Sequence, residues 1–411
     1  MRAVEVEAPP ESIAASLDEL SSAAERVAGY LAGRSVAIAQ EWIGSRAGSE
    51  KVFEALARLV PEADLFTLTV EPGVAIETDG RPLYVSWMDR GGVRDRRDLT
   101  LPVMPPTWRA MRRGDPDVVI TSSHAFSRTF AGAGASTSHL SYVHSPARYL
   151  WFPDVDHRSA GWRRPLEAPM RSVLKRVDRR STARAGSLAA NSATTQRRIR
   201  QVYDRDARLI HPPVDVRFFD PAPSAAREPF VLAVSRFVPY KRLDLAIRVA
   251  HEVDVPLVLA GDGPERSSLE SLAASLGADV EFVRSPSDAG LRDLYRRATA
   301  LLFFANEDFG IIPVEAQACG CPVVTAGEGG VLETVVDGST GVHATRPDRE
   351  SLVAALRVLL DDAPSPAESP TNTHPFTYDA NSQTLAQSND HVNTRPSPRK
   401  TLTGPRHAQP H

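Results

Sequence analysis

Cysteine is nearly missing from this chain: Cys319 and Cys321 are its only two thiols, and both stand in one run of small residues. A single residue between them does not fit a structural zinc knuckle, and no histidine cluster completes a metal site. The pair reads as two small buried residues in a reduced, cytoplasmic protein. Long apolar runs are missing too; none approaches membrane-spanning length. The opening residues, MRAVEVEAPPESIAASLDEL, lack a basic segment followed by an apolar core, so they do not read as a signal peptide. An excess of one charge is also absent. Lys and Arg number 48 against 51 Asp and Glu, a formal net charge of -3, which leaves partner choice to local patches. No nucleic-acid partner is expected.

What is present is enough apolar sequence for sizeable cores. At 411 residues, 42% of them apolar, the chain exceeds one ordinary domain. An extension is expected over 1–33, with an acidic start and then a small helical pattern. From RSVAIAQEW (34–42) onward, apolar runs of strand length alternate with longer helical patterns: DLFTLTV, DVVITSS, HLSYVHS, SLAANS. Alternation of this kind predicts a parallel sheet with helices on both faces. A proline-rich connection, LIHPPVDVRFFDPAPSAAREP, interrupts it at 209–229. A second series follows with strands FVLAVSRF, PLVLAGDG, VEFVRS, ALLFFA and PVVTAG. Helical patterns at 241–252, 265–276, 288–299, 311–319 and 348–362 separate and follow them. The expected architecture is two doubly wound α/β domains, 34–212 and 213–362, facing across a cleft. A tail of low complexity from 363 to 411, rich in Pro, Ser, Thr, Asn and His, reads as disordered.

In such sheets ligands bind at the carboxyl ends of the strands. NEDFGIIPVEAQACGCPVV (306–324) puts Glu307 just past a buried strand and Glu315 on the helix that follows. Gly310 between them lets backbone approach a ligand, and the first N–H groups of that helix are unpaired. Eight residues of helix span roughly 12 Å, so the two carboxylates address separate parts of one long ligand. AVSRFVPYKRLDLAI adds Arg236 right after a strand and Lys241 at the start of a helix, two cations that make a natural diphosphate site. The Gly-Asp-Gly of LAGDGPE reads as a common turn.

Together, VSRFVPYKRLDLAI, LVLAGDGPERSSLESLA, LRDLYRRATALLFFANEDFGIIPVEAQACGCPVV and GGVLETVVDGSTGV, in that order over 230–345, resemble the nucleotide-sugar-binding domain of retaining glycosyltransferases of family 4, with the GT-B fold. The resemblance implies that Glu307 contacts a donor sugar and Glu315 a nucleotide ribose. It places Arg236 and Lys241 on the donor diphosphate and the backbone at Phe309, Gly310 and Ile311 on sugar hydroxyls. RAGSEKVFEAL resembles the family's glycine loop, with Ala47 where its first glycine is expected and Gly48 where the second is. SYVHSPARYLW (141–151) resembles a segment of members that use GDP-mannose, and places His144 near the donor sugar and acceptor. AANSATTQRRI matches a strand-to-helix turn with Ser192 as helix cap. Arg284 stands where a glycine is usual beside the nucleotide base, and the tail replaces the family's final helices.

The resemblance thus implies a mannosyltransferase-like enzyme of polysaccharide or envelope-glycan synthesis. It would take a sugar nucleotide as co-substrate and a glycan or lipid-linked acceptor, with no cofactor and no metal. A sugar-nucleotide epimerase or a non-catalytic sugar-nucleotide-binding protein are the alternatives. The Asp-x-Asp stretches DVD (154–156) and DRD (204–206) read as ordinary surface aspartates. RRPLEAPMRSVLKRVDRRSTAR (163–184) places Leu166, Met170, Val173, Leu174 and Val177 on one helical face. It reads as a packed helix with a solvated basic face, and peripheral contact with anionic lipid is the competing reading.

Overall fold

A computed structural model describes residues 26–44, 48–94, 100–111, 114–130, 136–152, 164–221 and 227–361, with a short antiparallel strand pair at 378–379 and 384–385. The first sheet contains β1 (Val36–Ile43), β2 (Asp64–Val70), β3 (Leu83–Val85), β4 (Val118–Ser123), β5 (Ser138–Val143), β6 (Ser187–Ala190) and β7 (Arg208–Leu209). Its order is β3-β2-β1-β4-β5-β6-β7, with every neighbouring pair parallel. The second contains β8 (Glu228–Val234), β9 (Leu257–Ala260), β10 (Val280–Val283), β11 (Ala298–Phe303), β12 (Val323–Thr325) and β13 (Gly341–His343). It runs β10-β9-β8-β11-β12-β13, again parallel throughout. Each order reverses once, between β1 and β4 and between β8 and β11. A reversal leaves a crevice between the loops that leave the two strands in opposite directions.

Both sheets are buried on two faces because successive side chains point to opposite sides. In β8, Val231 and Ala233 enter one core with Leu257, Leu259 and Ile247, while Phe230 and Leu232 enter the other with Val258, Leu301 and Cys321. In the first sheet Ala37, Ala39 and Phe66 face Trp108 and Phe130, and Val36, Ile38 and Leu65 face Phe53.

The covering helices of the first half are α1 (Gly48–Leu59), α2 (Met104–Met111), α3 (Arg148–Trp151), α4 (Arg164–Arg184) and α5 (Ala193–Tyr203). Those of the second are α6 (Leu243–Val253), α7 (Arg266–Leu276), α8 (Asp288–Arg297), α9 (Ile311–Ala318) and α10 (Arg349–Asp361). Helix α10 buries Leu352, Val353, Leu356 and Leu359, a stripe at three- and four-residue spacing, against α6.

Three sequence expectations shift. The helix expected from 241 begins at Leu243, because Arg242 takes a left-handed conformation (φ 57°) after a 3-10 turn over Pro239–Lys241. Lys241 therefore stands on a turn ahead of the helix. The helix expected to reach 299 ends at Arg297, where Ala298 turns extended and starts β11. The apolar face expected along 163–184 divides: Leu174 is in the core, whereas Met170 and Val173 are exposed. The Leu166 side chain, Ala47, the DVD stretch and nearly all of the 363–411 tail lie outside the described residues. Asp204 caps the end of α5 in the left-handed region and Asp206 pairs with Arg200, so both DRD aspartates have structural partners.

Candidate active site

The two crevices face each other around a cleft of about 650 Å³, within the usual range for small-molecule sites. Its wall is supplied by strand ends: Trp42 at the end of β1 and Gly48 after it, His124 after β4, His144 after β5, Arg236 and Lys241 after β8, and Glu307 through Ile311 after β11. Every candidate residue named from the sequence lines it: His144, Gly48, Arg236, Lys241, Glu307, Phe309, Gly310, Ile311 and Glu315.

The Lys241 ammonium contacts the Glu307 carboxylate. Burial, then the Arg148 and Arg236 guanidinium groups, push the Lys241 pKa down to about 7. Arg236 is exposed in the cleft and forms no ion pair with another described residue. Gly310 adopts φ 90° at the start of α9, which leads the chain into a helix whose N-terminus has no side-chain cap. The Glu307–Asp308 backbone is crossed closely by a second loop. A Cβ on Gly330 would lie 2.1 Å from the Asp308 carbonyl oxygen, and Gly330 N–H donates to the Glu307 carbonyl at 2.8 Å. Glycine at 330 is what permits that crossing.

His144 is held by Ser122 Oγ at 2.7 Å from its Nε2, and its pKa falls to about 3, through burial first and then His124. It is a neutral imidazole. Its main-chain carbonyl accepts from Thr195 Oγ1 at 3.2 Å. The neighbouring turn is shaped by Glu41, a buried carboxylate that accepts from the main-chain N–H groups of His124, Ala125 and Ser127. Burial raises the Glu41 pKa against those hydrogen bonds.

Several buried polar atoms on the cleft wall have no hydrogen-bond partner: Ser145 Oγ, Asn191 Oδ1 and Ser235 Oγ. An unpaired buried polar atom costs about 1–3 kcal/mol, and these three converge on one cleft. Among the described residues no group of three or more His, Cys, Asp or Glu is placed to hold a metal ion.

Charged contacts the sequence reading missed tie the two halves together. Lys51 of α1 contacts Glu315 of α9, whose other oxygen accepts from Tyr295 at 3.2 Å. Asp308 is gripped by Arg148 and Arg198. Glu333 accepts from the N–H groups of Ala193 and Thr194, at 2.6 and 2.9 Å, and so caps α5 from the opposite half alongside Ser192, which bonds Thr195 N–H. Arg284 pairs with Asp262, at 2.8 Å, at the rim. Arg148 lies inside SPARYLW and Asp308 inside EDFG, so both were within quoted motifs, but nothing local pairs them.

With this geometry in hand, two family descriptions match the chain: Glycosyltransferase Family 4 over residues 48–218 and Glycosyl transferases group 1 over 217–373. The chain belongs to the family 4 glycosyltransferases. It is 33% identical over 198 residues to the GDP-mannose-dependent alpha-(1-6)-phosphatidylinositol monomannoside mannosyltransferase of Mycolicibacterium smegmatis, covering 42% of this chain and 52% of that one. It is 34% identical over 207 residues to the D-inositol 3-phosphate glycosyltransferase of Thermobispora bispora, 43% and 48% of the two chains. The matched region thus spans about half the length of these curated relatives. Among solved structures, sucrose-phosphate synthase from Thermosynechococcus elongatus superposes with a TM-score of 0.65 at 20% identity, over 83% of this chain and 93% of that one. HepE from Anabaena, in complex with UDP and glucose, gives 0.60 at 20% identity over the same shares. These likenesses establish the GT-B fold for this family 4 glycosyltransferase: two parallel sheets with flanking helices around one cleft. Among its described residues no helix is long and apolar enough to cross a membrane.

Proposed function

We propose that this chain is a retaining hexosyltransferase that moves mannose from GDP-mannose to a hydroxyl of a glycan or lipid-linked acceptor in envelope or polysaccharide synthesis. The observation that carries the reading is the pairing, in one cleft, of the Arg236 and Lys241 cations with the uncapped start of α9 and the polar atoms Ser145 Oγ, Asn191 Oδ1 and Ser235 Oγ, which have no hydrogen-bond partner among the described residues. A sugar nucleotide presents the matching parts: a diphosphate for the cations and hydroxyls for the orphaned groups.

In this reading Arg236, Lys241 and the α9 N-terminus take up the charge that develops on the departing diphosphate. Lys241 exchanges Glu307 for a phosphate oxygen, and the arriving anion raises its pKa and keeps it charged. Released from Lys241, Glu307 orients the sugar with the backbone at Phe309, Gly310 and Ile311, and Gly48 lies against the phosphates. Glu315 is assigned to the ribose, which requires Lys51 to share or release it. Neutral His144 is a hydrogen-bond partner for the donor sugar or the acceptor, not a charged acid. The acceptor hydroxyl attacks from the face the diphosphate leaves, and a phosphate oxygen takes its proton. The mannose donor is supported by SYVHSPARYLW and by the mannosyltransferase relative. The lipid-linked acceptor is supported by that relative's phosphatidylinositol monomannoside. Peripheral contact with anionic membrane is assigned to α4, where Met170 and Val173 are exposed among arginines.

The test is incubation of the purified chain with GDP-mannose, UDP-glucose and UDP-galactose without acceptor, followed by mass spectrometry. Slow release of GDP and mannose from GDP-mannose, absent in Arg236→Ala/Lys241→Ala, supports the reading. Epimerised sugar would replace it with the epimerase reading, and an unchanged donor that nonetheless binds would replace it with a non-catalytic one.

A further inference from the structure

On the first half of the molecule, away from the cleft, a separate small cavity of about 140 Å³ opens between the turn after β4 and the C-terminal part of α4. Four arginines line it, Arg109, Arg128, Arg180 and Arg184, with the hydroxyls of Thr129 and Ser181. Both hydroxyl protons are already committed, to the Phe126 and Asp178 carbonyls at 2.7 and 2.9 Å, so the donors offered to the cavity are guanidinium N–H groups.

Arg128 is fully buried, and its two terminal nitrogens are engaged with Ser123 Oγ, the Asp178 carboxylate and Tyr203 Oη at 2.8, 2.6 and 3.0 Å. Its Nε is buried as well and has no hydrogen-bond partner among the described residues. The nearby carboxylates are used up. Asp178 accepts from Arg128, Trp151 Nε1 and Tyr203 Oη, and Glu41 accepts from three main-chain N–H groups. Arg109, Arg180 and Arg184 form no ion pair with another described residue. A buried N–H donor without a hydrogen-bond partner is costly unless an acceptor completes it, and the three exposed guanidinium groups beside it form no ion pair with another described residue. The cavity has room for one tetrahedral oxyanion and is too small for a nucleotide, and arginine forks match phosphate oxygens bidentately.

We propose that this cavity is a phosphate site, taking inorganic phosphate or the phosphomonoester end of a larger molecule, distinct from the cleft between the two halves. The inference stands independently of the donor assigned to the cleft.

The cleft must be silenced for the test, since it too carries cations. In the full-length Arg236→Ala/Lys241→Ala chain, the melting temperature is followed against sodium phosphate, with sodium chloride at matched ionic strength as control. The expected result is a saturable rise with phosphate alone, shifted to at least tenfold higher phosphate when Arg180→Ala/Arg184→Ala is added. Both added positions are exposed, so the fold tolerates their loss. No saturable rise, or a midpoint unmoved by the two substitutions, overturns the proposal. Co-sedimentation with vesicles then separates the sources. Preference for phosphatidic acid over phosphatidylglycerol, lost with Arg180→Ala/Arg184→Ala and competed by phosphate, assigns the site to a lipid headgroup. A phosphate-dependent rise without that preference assigns it to the free ion.

Discussion

Replacing Lys241 by alanine removes the ammonium that contacts Glu307 in the cleft. If a nucleoside diphosphate binds against Arg236 and Lys241, the variant loses a charge-assisted hydrogen bond of about 1.5–3 kcal/mol. At 1.36 kcal/mol per tenfold, that is roughly 10- to 150-fold weaker binding. The Glu307 carboxylate, left without its cation and facing the phosphates, pushes the loss toward the upper end. Isothermal titration with GDP and with guanosine reads this directly. The loss should appear for GDP and vanish for guanosine, which has no phosphate to meet the lysine. The pH profile gives a second reading from the same groups. The free-state pKa of about 7 is depressed by burial and two arginines, and a bound diphosphate raises it. A group whose pKa rises on binding strengthens binding when protonated. GDP affinity should therefore be full below pH 7 and fall as pH climbs from 7 toward the pKa of the complex, and Lys241→Ala should flatten that slope. Equal losses for GDP and guanosine, or a pH slope that survives the substitution, would refute the reasoning.

The inter-half contacts predict that Asp308→Asn, which leaves the Arg148 and Arg198 guanidinium groups together without their carboxylate, destabilises the protein by about 3–5 kcal/mol, read as a lower urea midpoint. Gly330→Ala should displace the Glu307–Asp308 backbone, because its Cβ would sit 2.1 Å from the Asp308 oxygen. A stability cost of about 1–3 kcal/mol and weakened GDP binding are expected, measured by melting and titration. His144, with its pKa near 3, should show no imidazole titration between pH 5 and 8 by NMR; a midpoint near 6.5 would contradict its burial. Cys319 and Cys321 are buried and their thiols are pushed up, Cys321 to about 11, so both should resist thiol reagents at pH 8 until the chain is unfolded.

The parts of the cleft that could be found without a structure are those whose local sequence carries the reason for their position. Arg236 follows an apolar run of strand length, and Glu307 follows another. In a parallel sheet the ends of such strands are where ligands meet the fold. Gly310 and Ser192 were legible for a related reason, since a left-handed turn and a helix cap are single-residue demands. The helix start at Leu243 was misplaced by two residues because Arg242, not a glycine, takes the left-handed conformation there. The strands β3, β7 and β13, of two or three residues, escaped, whereas the equally short β12 was legible because PVVTAG sets it between a proline and a glycine as one apolar run.

Composition and periodicity by themselves determined two doubly wound sheets, and the strand-end residues determined which loops would face a ligand. Those signals are local: each depends on residues close enough in sequence to share one strand, turn or helix. Only the tertiary structure decided the charged contacts that hold the halves together. Lys51 and Glu315 are separated by 264 positions, Arg148 and Asp308 by 160, Arg198 and Asp308 by 110, and Glu333 from the α5 N-terminus by 140. No period or motif links residues so far apart. Each charge looks like an ordinary surface group until the packing of both sheets brings its partner to it and removes the water between them.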